Sequence, residues 1–325
     1  MGEAYTGRAP DIVRAMWMMM VVVVSALLAQ VQQPPVSQAP PPDTEVFLAR
    51  LTTDGGRLTV GDPKNISNSP GYDNQPSFSP NGASLYFTSA RGEMSPGGRR
   101  QMDIYRFDVK SQRVVPVTRT PESEYSATVT PDGRHVSVIR VEGDGAQRLW
   151  KFTTEGQEPS LVLIDIKPVG YHAWLDANTL ALFVLGEPAT LQIADTRTGT
   201  AVVAAKDIGR SLQRMPGGGV SYVQRGGGAD TRTLTIWRVS VEHGKPVTSP
   251  ITEAAPGATD EFVAWTPDGA LLMAAAGKLY AWRRGDTQWA VIADLDALGL
   301  KGVTRLAINP TGNLMALVAQ GAASK

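Results

Sequence analysis

One hairpin, repeated along the chain, limits what this sequence can fold into. Gln75 to Ser89 reads QPSFSPNGASLYFTS: a strand, a tight turn at Ser79-Pro80-Asn81-Gly82, and a returning strand through Leu85-Tyr86-Phe87-Thr88. Pro80 presets φ for the turn, and Asn81-Gly82 accept the positive φ it needs. The aromatic and β-branched run that follows suits a pleated, buried surface. Further copies start at Ala127 (ATVTPDGRHVSVIR), Ala173 (AWLDANTLALFVL), Leu212 (LQRMPGGGVSYVQ), Val263 (VAWTPDGALLMAA) and Ala307 (AINPTGNLMALVA). Pro80, Pro131, Asp176, Pro216, Pro267 and Pro310 mark the turns, spaced by 51, 45, 40, 51 and 43 residues. Strand-rich units with a period of about 40–50 residues predict a β-propeller.

A second hairpin follows each copy. Its first strand begins at Asp103 (DIYRFDV), Arg148 (RLWKFTTEG), Thr190 (TLQIADTRTG), Thr233 (TLTIWRVSVEHG) and Lys278 (KLYAWRRGD). The partners begin at Arg113 (RVVPVT), Ser160 (SLVLID), Ala201 (AVVAA), Lys245 (KPVTSPIT) and Trp289 (WAVIAD). Each unit therefore has four antiparallel strands, one propeller blade. The sixth unit has only two strands before Lys325, and EVFLARLTTDGGRLTVGD from Glu45, with its Asp54-Gly55-Gly56 turn, carries the missing pattern. The expectation is an all-β, six-bladed propeller over 44–325 whose last blade is closed by N-terminal strands. Closing the ring in this way removes two exposed sheet edges.

Ahead of it, the apolar run Ala15–Ala29 (AMWMMMVVVVSALLA) follows Arg8 and Arg14. It is shorter than the about 18–20 residues of a membrane span, and matches the apolar region of a secretory signal. We read 1–29 as a signal peptide, or as a membrane anchor if it is not cleaved. With five prolines and no periodicity, 30–43 reads as an extended linker. Export to the periplasm or beyond is the expected localisation.

The chain resembles the WD-like propeller repeats of the TolB family. The carriers are Phe78-Ser79-Pro80-Asn81-Gly82 with Leu85-Tyr86-Phe87-Thr88-Ser89, Asp103-Ile104-Tyr105-Arg106-Phe107-Asp108, Pro131-Asp132-Gly133 and Pro267-Asp268-Gly269. The resemblance covers about residues 44 to 320 and implies the fold. TolB carries a small α/β domain before its propeller, whereas here the repeats follow the proline linker directly. Contacts made through that domain have no counterpart, so the resemblance does not extend to a Tol-system role.

Catalytic motifs are sparse. Charged residues make up 19% of the chain and formal net charge is zero, giving no global pull toward nucleic acid. Cysteine is absent, which excludes a thiol nucleophile and Cys-ligated metal. There is no G-x-S-x-G elbow, H-E-x-x-H or P-loop. Three scattered histidines do not make a zinc site. His135 reads as structural, His243 as a solvated turn residue, and His172, before the Ala173-Trp174 strand, as a rim residue. No cofactor is implied. Trp150, Trp174, Trp237, Trp265 and Trp282 read as fillers between blades rather than ligand platforms.

Topology points to one face. The loops leading into the innermost strands and the middle-hairpin loops emerge together beside the central channel. The candidates there for ligand binding are Asp73, Asn74, Gln75, Glu124, Tyr125, Tyr171, His172, Arg210, Asp260, Glu261 and Arg305, with Arg99 and Arg100 on the long loop from Arg91. Aromatic, acidic and arginine side chains around a pit suit a protein or peptide partner. We expect a monomeric, non-catalytic envelope binding module that touches membrane only through an uncleaved N-terminal segment. The alternatives are a metal-assisted hydrolase or lyase working at the tunnel mouth, and a scaffold subunit that uses its edge. The turn side, with Ser79-Pro80-Asn81-Gly82, is expected to serve the fold.

Overall fold

The computed structural model describes residues 1–2, 41–92, 94, 100–228 and 232–321. Residues 3–29 of the expected signal segment, most of the linker and Arg99 lie outside the described residues. The described chain is all β, in six sheets of antiparallel strands. Blade 1 comprises Asp73–Phe78, Ser84–Ser89, Asp103–Asp108 and Arg113–Pro116, from the axis outward. Blade 2 runs from Ser123–Val129 through His135–Val141 and Gln147–Thr153 to Ser160–Leu161. Blades 3, 4 and 5 begin at Val169–Trp174, Ile208–Arg214 and Val263–Trp265, and end at Thr200–Lys206, Lys245–Glu253 and Ala290–Asp294.

Blade 6 is the composite blade read from the sequence. Arg305–Ile308 and Leu314–Gln320 are its inner strands; Thr44–Asp54 pairs outside them and Arg57–Val60 outside that. Thr44 through Arg50 pair in unbroken antiparallel register with Gln320 through Leu314. The short strand Lys64–Asn65 also pairs with Thr44–Asp54, at Leu48 and Phe47. The innermost strands of successive blades lie side by side, and that of blade 6 meets that of blade 1, so the ring is closed.

Why the second strand of each blade is so apolar follows from this packing. Leu85 and Phe87 pack with Val46, Ala316 and Val318 of blade 6, while Tyr86 between them packs with Val136 and Phe152 of blade 2. Alternate side chains leave opposite faces of a strand, so a sheet sandwiched on both sides needs apolar residues at successive positions. Leu271 and Met273 face blade 4 while Leu272 and Ala274 face blade 6, the same device. The described residues form six buried apolar clusters, one at each blade–blade interface.

The recurrent turns are locked by the residue before proline. Thr130 Oγ1 donates to Asp132 Oδ1 at 2.5 Å, and its oxygen accepts the His135 N–H at 3.1 Å. Ser79 and Thr266 make the same contacts with Asn81 and Asp268. Gly82, Gly133 and Gly269 take the positive φ that follows. In the eroded third turn Asp176 Oδ1 instead accepts the N–H groups of Asn178 and Thr179, at 2.8 and 2.9 Å.

Candidate functional site

The innermost strands enclose a central cavity of about 580 Å³. The residues five positions before each turn marker, Gln75, Ser126, Tyr171, Ser211, Phe262 and Arg305, all line it at one end, and Arg210 joins them. At the other end are the turn prolines Pro80, Pro131, Pro216, Pro267 and Pro310. The cavity therefore runs from the lead-in end of the strands to the turn side, the face expected from the sequence to serve the fold.

A cluster crosses the axis at the lead-in end. Arg305 Nη2 of blade 6 donates to Tyr171 Oη of blade 3 at 3.0 Å. The Arg305 guanidinium also sits 3.8 Å from the Phe262 ring centre, and that of Arg210 sits 5.6 Å from the same ring. A cation over an aromatic face is attracted by the ring quadrupole, so Phe262 holds both arginines at the cavity end. Burial raises the Tyr171 phenol, but the charges of Arg305 and Arg210 and the hydrogen bonds from Arg305 and Gln75 outweigh it, leaving the group below its ordinary value. Tyr72, nearby, is pushed up to about 12, chiefly by burial.

Gln75 is fixed by its neighbours. Its φ of 58° lies in the left-handed region, within a bulge between Asn74 and Ser77. Its Oε1 accepts Thr88 Oγ1 at 2.7 Å and the Ser126 N–H of blade 2 at 2.8 Å. Ser126 has the matching bulge and a φ of 54°. The Ser126 N–H to Gln75 Oε1 bond ties the two bulged strands together beside the channel.

Most of the acidic candidates lie against arginines. Asp73, buried, faces Arg91 at 3.2 Å, and Glu124, also buried, faces Arg140 at 3.0 Å. Glu261 takes Arg225 Nε at 2.6 Å, Arg232 Nη2 at 2.5 Å and the Arg210 backbone N–H at 3.0 Å. Gly209 is required there, since a Cβ would lie 2.7 Å from Glu261 Oε2. Burial raises Glu261, but the Arg225 and Arg210 hydrogen bonds and charges prevail and hold it below the usual carboxylate range. Asp260 goes the other way: burial raises it against the pull of Arg210 and Arg305. A second hollow of about 340 Å³ lies among Arg210, Arg225, Arg232, Thr259, Asp260 and Glu261.

Other candidates are not part of this cluster, although His172 still lines the cavity wall. His172 is not the rim residue expected: it is 6% exposed, and its Nε2 lies 2.7 Å from Ser137 Oγ, which also accepts Trp174 Nε1 at 2.9 Å. Burial pushes the imidazole down to about 3, so it stays neutral. Asn74 Nδ2 reaches Thr44 Oγ1 at 3.4 Å, and Arg100 Nη1 reaches the Ala90 carbonyl at 3.4 Å; neither lines the cavity. Tyr125 stays outside the cavity wall but packs at the interface of blades 2 and 3. Among the described residues no three His, Cys, Asp or Glu side chains come together as a metal-ligand set. Phe262 is a cavity residue that the sequence does not single out.

No protein-family model and no curated protein sequence matches the chain. Solved structures do match. TolB from Acinetobacter baumannii is 11% identical with a TM-score of 0.54, the alignment covering 85% of this chain and 64% of that one. A protein from Agrobacterium tumefaciens assigned as a TolB is 15% identical with a TM-score of 0.63, covering 86% of this chain and 99% of that one. A gluconolactonase from Xanthomonas campestris is 8% identical with a TM-score of 0.57, covering 86% and 98%. At such identities it is the fold that is shared, and one propeller fold carries many activities. This chain is a TolB-like six-bladed β-propeller in fold.

Proposed function

We propose that the chain is a non-catalytic binding module of the cell envelope that takes a protein or peptide segment at its central channel. The observation that carries this is the cavity itself. It has the volume of a ligand pocket, and its walls combine the apolar Phe78, Trp265 and Ile308 with Tyr171, Arg210 and Arg305. Aromatic and arginine anchors at the floor of a concavity are the composition of interaction hot spots. The placement in the envelope rests on the apolar run Ala15–Ala29.

The likeness to a gluconolactonase keeps catalysis in view as the competing reading. A photo-crosslinking residue at Gln213, which lines the cavity, tests the two. Expressed in the native envelope, it should form an adduct with a polypeptide, identified by mass spectrometry. Absence of any polypeptide adduct, together with turnover of a lactone by the purified chain, would replace binding by catalysis.

A further inference from the structure

We infer that the cavity floor is a carboxylate site, in which Arg210 and Arg305 together receive one carboxylate group carried by the bound polypeptide. This rests on the binding reading above and names the chemistry it would select.

Both guanidiniums line the cavity, and both are positioned by the same ring, Phe262. Neither forms an ion pair among the described residues, although Arg91, Arg140, Arg225 and Arg283 all do. Arg305 gives one N–H to Tyr171 Oη, and the Arg210 side chain gives none to a protein acceptor among the described residues. A guanidinium carries five N–H donors in a fixed fork, so most of the donors at this floor are unspent on the protein. Arginine matches carboxylate geometry with paired, charge-assisted hydrogen bonds.

The charge at the floor favours a monoanion. Asp260 lines the adjoining hollow with Arg210, forms no ion pair among the described residues, and has its carboxyl drawn downward by the charges of both Arg210 and Arg305. Glu261, the other acid near Arg210, is neutralised by Arg225 and Arg232. With Asp260 ionised, the floor sums to one positive charge. A carboxylate balances it, and a phosphate dianion overshoots. The carboxylate can come from a chain terminus or from an aspartate or glutamate side chain.

Two pools of N-acetylated random octapeptides test this, one with free C-termini and one with carboxamide termini, passed over the immobilised full chain. Recovered peptides are identified by mass spectrometry. A terminal carboxylate predicts recovery from the free pool and about tenfold less from the amide pool. A side-chain carboxylate predicts equal recovery from both pools, with the recovered peptides enriched in Asp or Glu. Either result must be lost in the Arg210→Met, Arg305→Met double variant and kept in Arg197→Met, which alters an exposed arginine at the outer hairpin turn of blade 3, outside the cavity. An Arg305→Lys variant, with unfolding monitored, separates loss of the fork from loss of the fold. Equal recovery without acidic enrichment would overturn the carboxylate site and leave peptide binding standing. Recovery of no peptide from either pool would overturn both.

Discussion

Arg305 Nη2 and Tyr171 Oη meet at 3.0 Å across the axis of the ring. Their blades, 6 and 3, are three apart in either direction round a closed ring of six, so the bond spans its diameter. It is a contact between strands that never touch through their backbones. It also gives Tyr171 a positive partner, with Arg210 adding to the field.

The first prediction is that Tyr171 ionises ahead of the other buried tyrosines. A near-ultraviolet pH titration should show an early phenolate step, absent in Tyr171→Phe and moved upward in Arg305→Met. Tyr72, pushed up to about 12 by burial, should ionise late. A Tyr171 step that does not move when Arg305 loses its charge would mean the bond contributes nothing electrostatically.

Ring closure gives the second prediction. Thr44–Asp54 lies between Leu314–Gln320 and Arg57–Val60, so it is an internal strand of blade 6. It also supplies Val46 to the interface with blade 1 and Ala49 and Leu51 to that with blade 5. Deleting Glu45 to Asp62 leaves Leu314–Gln320 as an unpaired edge and opens two apolar clusters. Calorimetry should show the sharp transition of the full chain replaced by a broad one. A truncated chain that melts as sharply as the full one would contradict the closure.

How much of this was legible in the sequence depends on which feature repeats. The turn chemistry repeats as short local strings, so Pro80, Pro131 and Pro267 gave away the blades and the register of their inner strands. The same register places Gln75, Tyr171, Phe262 and Arg305 on one ring, five residues before each marker. Phe262 stands at the same position, but an aromatic there looks like any strand residue of the core and carries no polar signature of a site. What stayed hidden was pairing between distant strands. Glu261 reads as a free acid beside Asp260, but Arg225 and Arg232 from the neighbouring blade neutralise it. His172 reads as a rim residue, but the pleat turns it inward to Ser137. Neither partner is within reach along the chain, so no local pattern could announce it.

Ser137 carries the third prediction. Its Oγ accepts Trp174 Nε1 at 2.9 Å, meets His172 Nε2 at 2.7 Å and donates to the Thr128 carbonyl at 2.9 Å. Trp174 and His172 belong to blade 3, so one hydroxyl of blade 2 joins the two blades. Ser137→Ala leaves the buried indole N–H without its acceptor, a loss of about 1–3 kcal/mol. Denaturant unfolding should show a lowered midpoint with an unchanged slope. Ser221, which accepts Trp265 Nε1 at 2.8 Å between blades 4 and 5, should behave alike when changed to alanine. Full stability in both variants would rule out the Trp–Ser bonds as staples.

The last prediction is a stability profile that falls as pH rises toward neutrality and above. Glu124 is fully buried and pushed up to about 7, first by burial, with Thr120 and Arg140 opposing. Its 3.0 Å contact with Arg140 argues for charge, but Oε2 has no partner among the described residues, and a bare carboxylate oxygen in the core favours the proton. From its ordinary 4.5 up to about 7 the folded protein therefore holds a proton that the unfolded chain has released. That stabilisation is complete below the unfolded value and is lost as pH rises through the folded one. Asp73 and Asp103, each raised to about 6 chiefly by burial, act in the same sense over a lower window. His172 opposes them, because burial holds it near 3 against its ordinary 6.5, so its contribution is lost as pH falls below 6.5. Above 6.5 only the carboxyl effects remain, and the denaturant midpoint should drop between there and about pH 8. Glu124→Gln should flatten that drop, even though it leaves Arg140 without its charge partner and lowers the midpoint overall. A drop of unchanged steepness in Glu124→Gln would show that Glu124 is already ionised at neutral pH, and that the Arg140 contact outweighs burial.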